Sequence, residues 1–110
     1  MSSLLVLTNL PDTASAQALA DLLVDERLAA CVNILAPARS VYRWDGKIAH
    51  AEEVPLLIKT TNARYAALEA AIRNNHPYEL PEIIAVPIEL GLPGYLAWVD
   101  AETTANPLSC

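Results

Sequence analysis

Glycine is scarce in this chain, with only Gly46, Gly91 and Gly94 among 110 residues. A glycine-rich phosphate loop, which needs several glycines to wrap its backbone around phosphates, is therefore excluded. Cysteine is scarcer still. Cys31 and Cys110 form neither a CxxC motif nor a disulfide framework. Free thiols and a soluble, cytoplasmic setting are the expectation. Lysine and arginine together number seven against thirteen acidic residues, giving a formal net charge of −6, and the seven are scattered. Without a basic patch, nucleic acid is not an expected partner. No apolar run approaches the ~20 residues of a membrane span, so no membrane partner is expected either. The start, Met1-Ser2-Ser3-Leu4, lacks the basic region and cleavage site of a signal peptide. Serine and histidine are few and show no nucleophile elbow or paired general base. No catalytic residue is assigned, and an enzyme is not expected.

What remains is apolar: 54% hydrophobic and only 18% charged. That places the chain far from disorder. The length suits one domain over residues 1–110, with 105–110 as a frayed tail. The composition is more apolar than a small monomer needs, which points to surface covered by partners.

Leu4-Leu5-Val6-Leu7 reads as a strand buried on both faces. Asp12 or Thr13 then caps a helix whose apolar positions include Leu19, Leu22, Leu23 and Ala30, ending near residues 27–30. Cys31-Val32-Asn33-Ile34-Leu35 opens a second strand, which resumes after Pro37 as Val41-Tyr42-Arg43-Trp44. Asp45-Gly46 is a two-residue hairpin signal, and Lys47 to Thr60 returns as the next strand. This turn pairs Trp44 with Lys47 and Tyr42 with Ala49. Continued, it sets Pro37 opposite Val54, Ala36 opposite Pro55 and Val32 opposite Lys59. Two prolines at nearly one level predict a bulge or bend there. Thr61 or Asn62 caps a second helix with Tyr65, Leu68 and Ile72 on its buried face, ended by His76-Pro77. Glu82-Ile83-Ile84-Ala85-Val86 is a fourth strand, and residues 95–99 suggest a short third helix.

The order predicts an α+β, ferredoxin-like βαββαβ sandwich with a long hairpin between its second and third strands and a C-terminal helix. Both main helices should lie on one face of an antiparallel sheet. Strands of about 14 residues at ~3.3 Å per residue reach roughly 45 Å. A domain of this length has a radius of gyration near ~13 Å. The hairpin must therefore bend back or project, and its open edges call for another subunit. A closed ring of copies resolves both demands.

Five ordered segments carry a resemblance: Ala29-Ala30-Cys31-Val32-Asn33, Val41-Tyr42-Arg43-Trp44-Asp45-Gly46-Lys47, Leu57-Ile58-Lys59-Thr60-Thr61, His76-Pro77-Tyr78-Glu79-Leu80-Pro81-Glu82-Ile83 and Tyr95-Leu96-Ala97-Trp98. With the first strand, the chain resembles the CutA family of divalent-cation tolerance proteins from residue 4 to about 100. The resemblance implies a homotrimer, similar in architecture to the nitrogen-regulatory (PII) trimers. It implies a non-enzymatic role in response to metal ions, with copper or another divalent cation as the bound ion and no required cofactor. It also brings a departure. Where some bacterial members offer copper a cysteine and a His-His pair, this chain has Thr8 and Asn75-His76.

His76 is the one candidate metal ligand, and a weak one. It sits near Glu79 and Glu82, donors that suit zinc or copper(II), but the spacing is not a standard metal motif. A helix-ending loop with a hydrogen-bonded histidine is the preferred reading for tight binding. Lys59, ending an apolar strand, either holds an anion or a carboxylate from another subunit, or forms a salt bridge with Glu79 or Glu82. Tyr42 and Trp44 share one face of the hairpin by period two; Tyr95 and Trp98 share a helical face. They line an intersubunit cleft or, more simply, pack an interface. The expected cleft set is thus Lys59, Tyr78, Glu79 and Glu82 with Tyr42, Trp44, Tyr95 and Trp98. Cys31 reads as a buried structural thiol, Cys110 as an exposed and mobile one, and His50 as a solvated surface residue. Three rival functions stay open: a small-metabolite or anion sensor, an enzyme in the same cleft, and a structural scaffold.

Overall fold

A computed structural model describes residues 2–104 of the chain, so the expectations for Cys110 and the 105–110 tail lie outside the described residues. Strand β1 (Ser3–Leu10) is followed by helix α1 (Thr13–Asp25), β2 (Cys31–Ile34), β3 (Ala38–Trp44), β4 (Lys47–Thr61), α2 (Asn62–Asn74), β5 (Ile83–Pro87) and α3 (Pro93–Thr103). The main sheet runs β2-β4-β1-β5, with β3 paired on the projecting end of β4. Every pairing is antiparallel. This is the order a split βαβ unit produces once β2 and β3 are taken as one interrupted strand.

The core lies between one face of the sheet and the two main helices. Val6, Leu10, Leu56 and Ile58 from the sheet meet Leu19 and Leu23 of α1 and Leu68 and Ile72 of α2. Asp12 caps α1, its Oδ1 accepting the Ser15 amide at 2.7 Å. The helix stops at Asp25, slightly before the expected end, and Arg27 takes a left-handed backbone (φ 58°). Arg27 Nε and Nη2 then donate to the carbonyls of Thr104 (2.9 Å) and Ala101 (3.1 Å). One residue thus turns the chain out of α1 and caps α3. Helix α3 is longer than the expected 95–99 because Val99 and Thr103 are both buried and extend its packing.

Two expectations are corrected. The first strand is not buried on both faces in one chain. Val6 and Thr8 face the helices, whereas Leu5 and Leu7 are only half-buried on the other side. Their cross-strand neighbours Ile84 (52% exposed) and Val86 (46% exposed) continue that open apolar face. The second correction is the hairpin register. The tip pairs as expected, Trp44 with Lys47 through Ala38 with Glu53. Beyond the prolines the register slips by one, so that Lys59 opposes Cys31 and not Val32. Leu35, Ala36 and Pro37 occupy the span of Val54 and Pro55, with the Leu35 amide donating to Pro55 O at 3.0 Å. Proline cannot donate to the ladder, and the extra residue is absorbed there as a bulge. Asp45 and Gly46 both have positive φ (54° and 74°), as a tight hairpin turn of primed type requires. The projecting ribbon stretches the molecule to 48 × 30 × 23 Å, with a radius of gyration of 14.8 Å.

Candidate functional site

The hairpin curls over the loop that follows α2 and leaves a cleft of about 760 Å³. One wall is the hairpin face carrying Ser40, Tyr42 and Trp44 with Ala51 and Glu53. Residues directly opposite each other share a face. Ser40 opposes Ala51, Tyr42 opposes Ala49 and Ala38 opposes Glu53, so these side chains stand together. The small alanines of β4 leave room beside the large rings of β3. The other wall is Tyr78, Glu79, Leu80 and Glu82, and Asn9 at the end of β1 lies between.

Asn9 ties the walls to the sheet. Its Nδ2 donates to Glu82 Oε1 at 3.0 Å, and its carbonyl lies 2.6 Å from His76 Nε2. A carbonyl can only accept, so Nε2 carries the imidazole proton. The other ring nitrogen, Nδ1, accepts the Tyr78 amide at 3.2 Å, and the two rings sit 4.7 Å apart. His76 is thus a clamp that fixes the Pro77-Tyr78 turn against β1. Both nitrogens are committed.

Tyr78 is the most perturbed group of the cleft. Burial, and next the Glu53 carboxylate beside its hydroxyl, push its pKa up to about 12. Glu53 is itself nine-tenths buried (9% exposed).

Of the expected residues, the structure gathers Tyr42, Trp44, Tyr78, Glu79 and Glu82 on this cleft and sets His76 behind it. Lys59, Tyr95 and Trp98 lie elsewhere in the chain. Lys59 opposes Leu5 and Cys31 on the open side of the sheet, and its Nζ donates to Asn33 Oδ1, in place of a pairing with Glu79 or Glu82. Tyr95 reaches Cys31, and burial first, then that thiol, raises its pKa. Its ring lies 5.5 Å from that of Trp98. Cys31 is half-buried and free, not the fully buried thiol expected, because it stands on this open face. His50 is exposed, as expected.

Glu53 is the main residue that sequence reasoning missed. Period two from the Asp45-Gly46 turn places it on the Tyr42–Trp44 face, and that signal was available. Asn9 and Leu80 carried no comparable signal, since their place depends on how the hairpin bends.

A resident metal does not fit the donors of one chain. Among the described residues no group of three His, Cys, Asp or Glu side chains is placed to hold an ion. His76 offers no free lone pair. Thr8 is in the core at 1% exposure, and its hydroxyl has no partner among the described residues. Asn75 caps α2, its Nδ2 donating to Ala71 O at 2.8 Å.

Comparison with known proteins agrees with this architecture. The family profile described as "CutA1 divalent ion tolerance protein" matches residues 4–102. The divalent-cation tolerance protein CutA of Thermus thermophilus is 43% identical over 98 residues, covering 89% of this chain and 95% of the relative. That of Pectobacterium atrosepticum is 41% identical over 99 residues, covering 90% of each. Among solved structures, CutA from Xylella fastidiosa superposes with a TM-score of 0.92 at 44% identity, covering 94% of this chain and all of that one. A protein from Archaeoglobus fulgidus, described as a periplasmic divalent cation tolerance protein CutA, gives 0.90 at 34% identity, with 93% and 99% covered.

Proposed function

The chain belongs to the CutA1 divalent ion tolerance protein family, and on that premise we propose that it is a non-enzymatic divalent-cation tolerance protein working as a homotrimer, with its ligand sites in clefts completed between subunits. One observation supports the assembly above others. A single chain leaves large apolar side chains uncovered in two regions, the hairpin (Val41 66% exposed, Ile48 63%) and the open sheet face (Ile84 52%, Val86 46%). Exposed apolar patches of this kind mark surfaces that partners cover. The division of the expected site residues supports the same reading. Tyr42, Trp44, Tyr78, Glu79 and Glu82 lie on the cleft, whereas Lys59, Tyr95 and Trp98 stand on the open face. A ring of copies lets Tyr95 and Trp98 of one chain meet the first set of its neighbour, while Lys59 keeps Asn33 of its own chain as partner.

No helix of the described residues is long and apolar enough to cross a membrane. The half-buried free Cys31 suits a reducing compartment, and the cytoplasm is the proposed location.

The divalent ion is in this reading an effector met by the assembly, not a resident cofactor. Sedimentation equilibrium at micromolar concentration is expected to give three times the 11.9 kDa of one chain. A single-chain mass overturns the shared cleft. Calorimetric titration with copper(II) tests His76 separately. With both ring nitrogens committed, wild type and His76→Ala are expected to give the same isotherm within twofold in affinity. A clear loss in His76→Ala assigns the ring to the metal, at the expense of the Tyr78 amide bond.

A further inference from the structure

The cleft walls have a chemistry that metal binding does not use. We propose that this cleft takes an organic polyamine cation, an alkyl chain carrying two or more ammonium groups; this rests on the cleft being a ligand site and names the class of ligand.

The sign of the charge comes first. Apart from tyrosine, the ionisable side chains on the cleft are Glu53, Glu79 and Glu82, and no lysine, arginine or histidine among the described residues lines it. A cleft lined by one sign of charge concentrates the opposite ion. An anionic metabolite is therefore disfavoured in the surface presented by one chain.

Burial is the second observation. Glu53 is nine-tenths buried on the cleft wall, and the group its carboxylate meets there is the hydroxyl of Tyr78, not a cation. A buried carboxylate is costly unless a positive charge or several hydrogen bonds compensate it. A ligand ammonium supplies that charge, with N–H donors that a bare carboxylate accepts.

The aromatic rings separate an organic cation from a metal ion. Tyr42, Trp44 and Tyr78 stand on the same cleft as the carboxylates. An ammonium over such a ring is attracted to its electron-rich face, and the methylene chain gains apolar contact. Divalent metals instead need several oxygen ligands converging within about 2.0–2.6 Å. The carboxylates here do not converge, since no metal-holding group of three is present among the described residues. Separated carboxylates match charges separated along a chain. A volume of about 760 Å³ is ample for one.

The chain has two tryptophans, so a Trp98→Phe background leaves Trp44 as the only indole reporter. Spermidine is titrated against its emission at constant ionic strength, with 1,4-butanediol and magnesium chloride as controls. The expected result is a saturable change with spermidine, at least tenfold tighter than with magnesium and absent with the diol. Glu53→Gln, nearly isosteric, is expected to weaken it at least tenfold. Tyr42→Leu, which removes a ring and no charge, is expected to weaken it severalfold. Circular dichroism checks both folds, and Glu79→Gln replaces Glu53→Gln if the latter fails to fold. Absence of saturation, equality with magnesium, or affinity unchanged by the glutamine and leucine variants overturns the proposal. A trimer that ignores spermidine sinks the amine assignment alone. A monomer that binds it sinks the shared-cleft assembly and leaves the amine assignment standing.

Discussion

Tyr78 shows how one residue links the cleft to stability. Its hydroxyl, desolvated and beside Glu53, has its pKa pushed up to about 12 from the ordinary tyrosine value of 10.0. A raised pKa means that the folded state holds the proton more firmly than the unfolded one. The associated stability is fully present below pH 10 and is lost as pH rises from 10 towards 12. Alkaline unfolding followed by far-UV circular dichroism should therefore steepen over that window in wild type. Tyr78→Phe, which has no proton to lose, is expected to flatten it. An identical alkaline profile for the two proteins would remove Tyr78 from the account. At this scale the sequence was partly legible. Tyr78, Glu79 and Glu82 share a short proline-flanked loop, so their grouping needed no long-range contact. His76 was visible as a candidate, but its role as a clamp depended on the carbonyl of Asn9, 67 positions away. No local pattern announces such a bond.

At the scale of elements, the order of strands and helices could be read from periodicity, because each main element buries one regular stripe against one core. The hairpin tip was equally legible, since the Asp45-Gly46 turn fixes its own register. The cross-strand partner of Lys59 is not legible from the turn alone. The two prolines predict a bulge but not how many residues it absorbs, and one absorbed residue moves every later pair by one. The turn also yields a prediction. Gly46 has φ of +74°, a conformation that a β-branched side chain resists by about 1–2 kcal/mol. Nothing lies within 4 Å of a Cβ added there, so the cost is in the backbone alone and not in a clash. Gly46→Val is expected to lower the unfolding free energy, read from urea titration at fixed protein concentration, by about 1–2 kcal/mol, with an unchanged urea slope. Gly94→Ala, also with open space but no positive φ, serves as the control and is expected not to lower that free energy, since alanine is the better residue in helix α3. Equal effects at the two positions would place the cost elsewhere than in the turn.

At the scale of the whole molecule, the question is which surface belongs to the solvent. The alternation along β1 assigns Val6, Thr8 and Leu10 to the helix side and Leu5 and Leu7 to the other. Leu7 opposes Ile84 and Leu5 opposes Val86, so the open side is a continuous apolar sheet face. In one chain Ile84 is 52% exposed and touches no core it must fill. A surface substitution of that kind usually alters stability by no more than about 0.5 kcal/mol. Ile84→Asp should then leave a folded, helix-containing chain. If the face is instead covered by sister chains, the same aspartate is buried without a partner. The penalty is several kcal/mol per subunit and is repeated at each copy. Sedimentation of Ile84→Asp is accordingly expected to fall to the 11.9 kDa of one chain, with circular dichroism close to that of wild type. A variant that keeps the wild-type trimer mass would show that copies do not meet through this face. The projecting hairpin would then be left to carry the assembly without it.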